Sequence, residues 1–129
     1  TGVQTCALPI FTMGMAAWGT PELKDYFKQQ LIADEHEIVL TQNLHTGLNP
    51  GFMAGVKFED IAASAQAATE DLITNIMQRA RDFGVSRNLV YMGGVALNCL
   101  ANRLLGNYFD NIWIIQGSFR FYGFCQRCN

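Results

Sequence analysis

The stretch that most narrows the possible folds is NLVYMGGVALNCLANRLLGNYFDNIWII, residues 88–115. Asn88 to Met92 form a short apolar run, and Gly93 and Gly94 follow at once. Residues 95–105 are compatible with a helix that ends at Gly106 or Asn107, and Ile112 to Ile115 make a second apolar run. Short apolar runs of this kind read as buried strands. Strand, glycine turn, helix and strand make a β-α-β unit, which requires a parallel strand pair and so predicts an α/β fold.

The segment before this unit supplies its packing partner. Residues 59–83 are the strongest helix in the chain, with Ile61, Ala65, Ala68, Leu72, Ile76 and Ala80 predicted on one packing stripe. Asp60 suits the positive end of that helix and Gly84 is a candidate C-cap. Further upstream, residues 11–19 read as a loop. Thr20, Pro21 and Glu22 then read as N-cap, first helical residue and first-turn carboxylate of a helix reaching Leu31, with Leu23, Phe27, Gln30 and Leu31 at helical spacing. Residues 37–40 are a strand candidate and residues 43–55 a loop rich in Gly, Asn and Pro. Residues 1–10 have no period and read as a non-native leader. Residues 116–129 lose the texture of the domain and read as an aberrant tail, as a reading-frame shift near Ile115 would produce.

Half of the 129 residues are hydrophobic, 16% are charged and the net charge is -2, which is a globular composition without the basic footprint of nucleic-acid binding. No apolar run has the length of a membrane span. No pattern among Cys6, Cys99, Cys125 and Cys128 suggests a disulfide framework, so a reducing, cytoplasmic setting is expected. Cys125 and Cys128 have CxxC spacing but no second pair or nearby His, so no zinc site is expected. Cys99 reads as a small apolar residue behind the glycine turn, and Phe109 and Trp113 read as core.

The chemistry concentrates at MGGVALN, residues 92–98. Two glycines between strand and helix let a ligand approach the backbone, and a helix N-terminus behind them favours phosphate. Asn98 can hydrogen-bond a ribose or another polar group. A plain tight turn into a helix satisfies the same residues, and the motif is neither a Walker loop nor a full GxGxxG.

Four segments resemble the O-carbamoyltransferases of nodulation-factor and antibiotic biosynthesis: MGMAAWGTP at 13–21, DIAASAQAATE at 60–70, NLVYMGGVALNCLAN at 88–102 and FDNIWI at 109–114. The resemblance covers residues 11–115. It implies part of an ATPase lobe of the actin/sugar-kinase/Hsp70 type. It also implies carbamoyl transfer from carbamoyl phosphate to the hydroxyl of a small molecule, using ATP and passing through a carbamoyl-adenylate. By position, Gly93, Gly94 and Asn98 would line the nucleotide, and Met13 and Gly14 would lie near the active cleft. The family holds a divalent metal, iron or magnesium, with a HxxxH pair and a later Asp. His36 and His45 do not have that spacing, and no metal ligand is assigned. A related ATPase that makes threonylcarbamoyladenosine, or a non-enzymatic α/β binding module, are the alternatives. The run Leu97, Asn98, Cys99 and the Trp113 strand argue against the first of these. As a lobe taken from a larger molecule, the chain is expected to expose apolar faces and to be inactive alone.

Overall fold

The computed structural model describes residues 12–31, 53–115 and 125–127. In chain order the elements are α1 (12–16), α2 (Lys24–Leu31), α3 (Phe58–Phe83), β1 (Asn88–Met92), a 3-10 turn (Gly94–Leu97), α4 (Cys99–Asn102), a second 3-10 turn (Leu105–Asn107), β2 (Asn111–Ile115) and β3 (Cys125–Arg127). The strand candidate at 37–40, His36, His45 and Cys6 lie outside the described residues. The chain divides into two units, residues 14–68 and residues 1–13 with 69–129.

In the first unit, the segment before α2 is fastened to the start of α3. The Thr20 amide and hydroxyl both donate to Asp60 Oδ1, at 2.8 and 3.2 Å. The Leu23 amide donates to Ser64 Oγ at 3.1 Å, and that hydroxyl donates to the Asp60 carbonyl at 2.7 Å. Ser64 is wholly buried. These bonds correct the expected helix start. Thr20 is not the N-cap of α2, because its hydroxyl is committed to Asp60, and the helix begins at Lys24 after a turn in which the Lys24 amide meets the Pro21 carbonyl. Gly19 explains the close approach: a Cβ there would overlap the Glu59 carbonyl and lie 2.7 Å from the Asp60 amide nitrogen.

In the second unit, β1 and β2 pair in parallel, with Asn88 opposite Asn111 and Met92 opposite Ile115. β2 is central and β3 joins it antiparallel, Trp113 opposite Arg127 and Ile115 opposite Cys125. The chain is therefore α/β in the predicted sense. The core is a cluster of Ile73, Met77, Ala96, Ala101, Leu105, Phe109 and Ile114, with Leu89, Tyr91 and Ile112 packed against it. Burial pushes the Tyr91 phenol above its usual pKa.

Several expectations need correction. The packing stripe of α3 is displaced by one residue in its second half: Ile73 and Met77 are buried, whereas Ile76 is 40% exposed. Ala68 is buried as expected, together with Ala62 and Ala63. An alanine-rich helix has apolar residues on neighbouring faces, so its large side chains decide the face, and Ile73 and Met77 reach the core cluster. Gly84 does follow the last residue of α3 as its C-cap, its amide meeting the Ala80 carbonyl at 3.0 Å without a positive φ. The strands are half-buried, not buried. Val90 is 60% and Met92 59% exposed, while Leu89 and Tyr91 face inward. Phe109 is core, and Trp113 is only partly buried. Val90 and Met92 thus leave one face of β1 apolar and exposed.

The mouths of the two parallel strands are tied together. The Arg87 guanidinium grips Asp110 through Nε to Oδ2 and through Nη2 to Oδ1, the latter at 2.9 Å, and the Asp110 amide donates to the Arg87 carbonyl at 3.0 Å. Asn111 Nδ2 donates to Asn88 Oδ1 at 2.9 Å one step further in.

Two predictions follow from these contacts. Gly19→Ala is expected to destabilise the chain by about 1–3 kcal/mol, read as a lowered thermal midpoint, because the added methyl meets backbone that cannot yield. The hydrogen bond from Arg87, then its charge, hold the Asp110 carboxyl below its ordinary value of 3.8, against an opposing desolvation effect. A depressed carboxyl stabilises the fold above that value and loses the contribution as pH falls through its lower, folded pKa. The stability difference between the wild type and Asp110→Asn should therefore be small at neutral pH and shrink towards pH 3, read by chemical denaturation across pH. Both side chains are more than half exposed, so added salt should reduce the difference as well.

Candidate functional site

The glycine turn sits at the end of β1 and is open to solvent. Gly93 has φ 110° and ψ -178°, a conformation essentially restricted to glycine. Gly94 has no such constraint. A Cβ on either residue would meet nothing within 4 Å. Both glycines are exposed, so backbone, not side chain, forms the surface of this corner.

Behind the glycines the expected helix over 95–105 is broken into three pieces, and two asparagines break it. Asn98 Oδ1 accepts the Ala101 amide at 3.1 Å, making Asn98 the N-cap of the four-residue α4. Asn102 Nδ2 donates to the Ala96 carbonyl at 2.8 Å. In an α-helix that carbonyl would accept the amide of residue 100. Side chains thus compete with the helical ladder for its own partners. Residues 94–97 become a 3-10 turn, with the Ala96 amide on the Gly93 carbonyl at 3.1 Å and the Asn98 amide on the Val95 carbonyl at 2.9 Å. The Gly94 and Val95 amides precede the first bond of that turn. Charge at this corner would come from those local N–H groups, since no long helix stands behind them.

The other predicted residues fall as follows. Met13 lies against the start of α4, where the Cys99 thiol points at its thioether sulfur at 3.6 Å. Cys99 is exposed, a correction to its expected place behind the turn. Gly14 is exposed and belongs to the other unit. α4 is steadied against α3 by Arg103, which donates to Glu70 Oε2 at 3.0 Å and to the Leu100 carbonyl at 2.9 Å. Sequence reasoning missed Asn102. Its buried Oδ1 has no hydrogen-bond partner among the described residues, an arrangement that costs about 1–3 kcal/mol. The signal available was a second asparagine four residues after Asn98, in a segment assigned to a helix that asparagine disfavours.

An open cavity of about 620 Å³ lies in the first unit, lined by Trp18, Thr20, Glu22, Lys57, Glu59 and Asp60. It holds none of the predicted site residues. Among the described residues no three His, Cys, Asp or Glu side chains gather as a metal ion would need. Nor is any helix among them long and apolar enough to cross a membrane.

Comparison with known proteins decides the family. The profile of the carbamoyltransferase N-terminus matches residues 15–117, most of the chain. The chain belongs to the carbamoyltransferase family. Its glycine turn, α3 and the parallel strands all lie inside the matched N-terminal domain. The uncharacterized protein sll1178 of Synechocystis sp. is 47% identical over 57 residues, which are 43% of this chain and 9% of that protein. The chain thus aligns with a small part of that relative. No solved structure matches the chain.

The two glycines should respond differently to a methyl group. Gly93→Ala is expected to cost about 1–3 kcal/mol, because its backbone leaves the region open to other residues. Gly94→Ala should stay within about 0.5 kcal/mol of wild type. Urea unfolding of the two variants beside wild type measures both.

Proposed function

We propose that this chain carries the nucleotide turn of an ATP-dependent O-carbamoyltransferase. The parent enzyme, on this reading, moves a carbamoyl group from carbamoyl phosphate, by way of a carbamoyl-adenylate, to the hydroxyl of a small molecule in the cytoplasm. Family membership supports carbamoyl transfer. The observation that carries the nucleotide assignment is Gly94: it is exposed, its Cβ space is open, and its backbone has no need of glycine. A side chain there would intrude on whatever approaches from outside, and only an approaching ligand gives its absence a use.

The turn's contribution would be electrostatic and positional. The amides of Gly94 and Val95 would meet phosphate oxygens, where preorganised N–H donors are worth most in a site closed to water. Gly93 would keep the backbone turned towards the ligand, and Asn98 would line the nucleotide while shaping the turn as cap of α4. Met13, beside Cys99, would lie at the edge of the same site, with Gly14 following it on α1. A divalent ion, iron or magnesium, would neutralise charge on the phosphates in the parent enzyme. Among the described residues no ligand set for such an ion gathers.

Calorimetric titration with MgATP tests the assignment. The wild-type chain should give a saturable heat, and Gly94→Val should reduce affinity by about tenfold or more. Equal heats from the two proteins would reject the turn as a nucleotide site. Acyl transfer from carbamoyl phosphate by this chain alone is expected to be undetectable.

A further inference from the structure

The carboxamide of Asn102 does two opposite things. Its nitrogen holds the carbonyl of Ala96, a residue only 1% exposed, at 2.8 Å. Its oxygen is buried without a partner among the described residues. An apolar side chain of similar size would leave the buried Ala96 oxygen unmet in place of Oδ1, so the two cases differ in what is held and not in how many acceptors go unpaired. The benefit has to lie in what the nitrogen holds.

What it holds is the 94–97 turn. Asn102 is the last residue of α4 and reaches back six positions to the middle of the turn. The turn's own bonds run from the Ala96 amide to Gly93 and from the Asn98 amide to Val95, and neither involves the Ala96 carbonyl. The Asn102 bond therefore joins the glycine corner to α4, which is itself braced by Asn98 on the Ala101 amide and by Arg103 on Glu70. Without it, the Ala96 peptide could rotate, and the Gly94 and Val95 amides just before it would lose their fixed direction.

We infer that Asn102 is the positioning residue of the glycine turn, holding the Gly94 and Val95 amides in the direction that a nucleoside triphosphate's phosphates require. The inference rests on the nucleotide reading above. Asn102 touches no phosphate itself; it acts through the Ala96 carbonyl.

The test uses the full chain, with Asn102→Leu and Asn102→Ser as two independent variants. Asn102→Leu exchanges one buried unpaired acceptor, its own Oδ1, for another, the Ala96 oxygen, so its thermal midpoint should stay near that of wild type. Amide hydrogen exchange at Ala96 and Asn98 should nevertheless quicken, with the β1 amide of Val90 unchanged, and MgATP affinity should fall by about tenfold. Asn102→Ser, too short to reach Ala96, should show the same pair of changes if the leucine variant fails to fold. Wild-type affinity in variants with faster exchange, or unchanged exchange at Ala96 and Asn98, would overturn the role of Asn102 and leave the nucleotide turn standing. A wild-type chain that gives no heat with MgATP would instead overturn the nucleotide reading, and this inference with it.

Discussion

Two strands that run the same way cannot be joined by a hairpin; the chain between Met92 and Asn111 has to travel back along the sheet before the second strand begins. That requirement organises the second unit. The returning segment passes over the inner sheet face, where Ala96, Ala101, Leu105 and Phe109 close on Ile114 and on Ile73 and Met77 of α3. Register is set at one end by Arg87 and Asp110 and by the asparagine pair beyond them. A slip by one residue would turn Leu89 and Tyr91 outward and bring Val90 and Met92 in. At the other end of β1 the same parallel geometry leaves the chain turning out of the sheet at Gly93, which is where the open corner forms.

The strands, their parallel relation and the long helix could be read from residue order because each rests on a pattern several residues long. Finer features depended on choices that pattern does not record. Residues 72 and 76 and residues 73 and 77 are both apolar pairs on α3, and only the depth of the core cluster picks the second. Thr20 and Pro21 spell a helix start, yet a carboxylate forty positions away in the chain draws the threonine hydroxyl from that task. In each case a tertiary partner outcompeted a local preference.

At the site, the glycines were visible and the architecture behind them was not. An eleven-residue helix was expected over 95–105 because its residues are mostly apolar or helix-tolerant. From residue order alone Asn98 suggests a ligand contact and Asn102 suggests nothing. Both instead engage backbone groups that a helix would have used itself, Asn98 on the Ala101 amide and Asn102 on the Ala96 carbonyl. The difference bears on electrostatics. A long helix would have placed a macrodipole behind the glycine corner, whereas a short turn has only its first amides, so their orientation sets the local field.

Adjacent glycines are easily treated as one feature, yet Gly93 and Gly94 answer to separate constraints. The first is demanded by its own dihedral angles, whatever the molecule does. The second faces empty space, and on the nucleotide reading proposed above only a ligand would demand it. A gene copy drifting after its product had ceased to meet a nucleotide would therefore keep glycine at 93 under selection for folding and lose it at 94. The order of their decay would record which task was abandoned first.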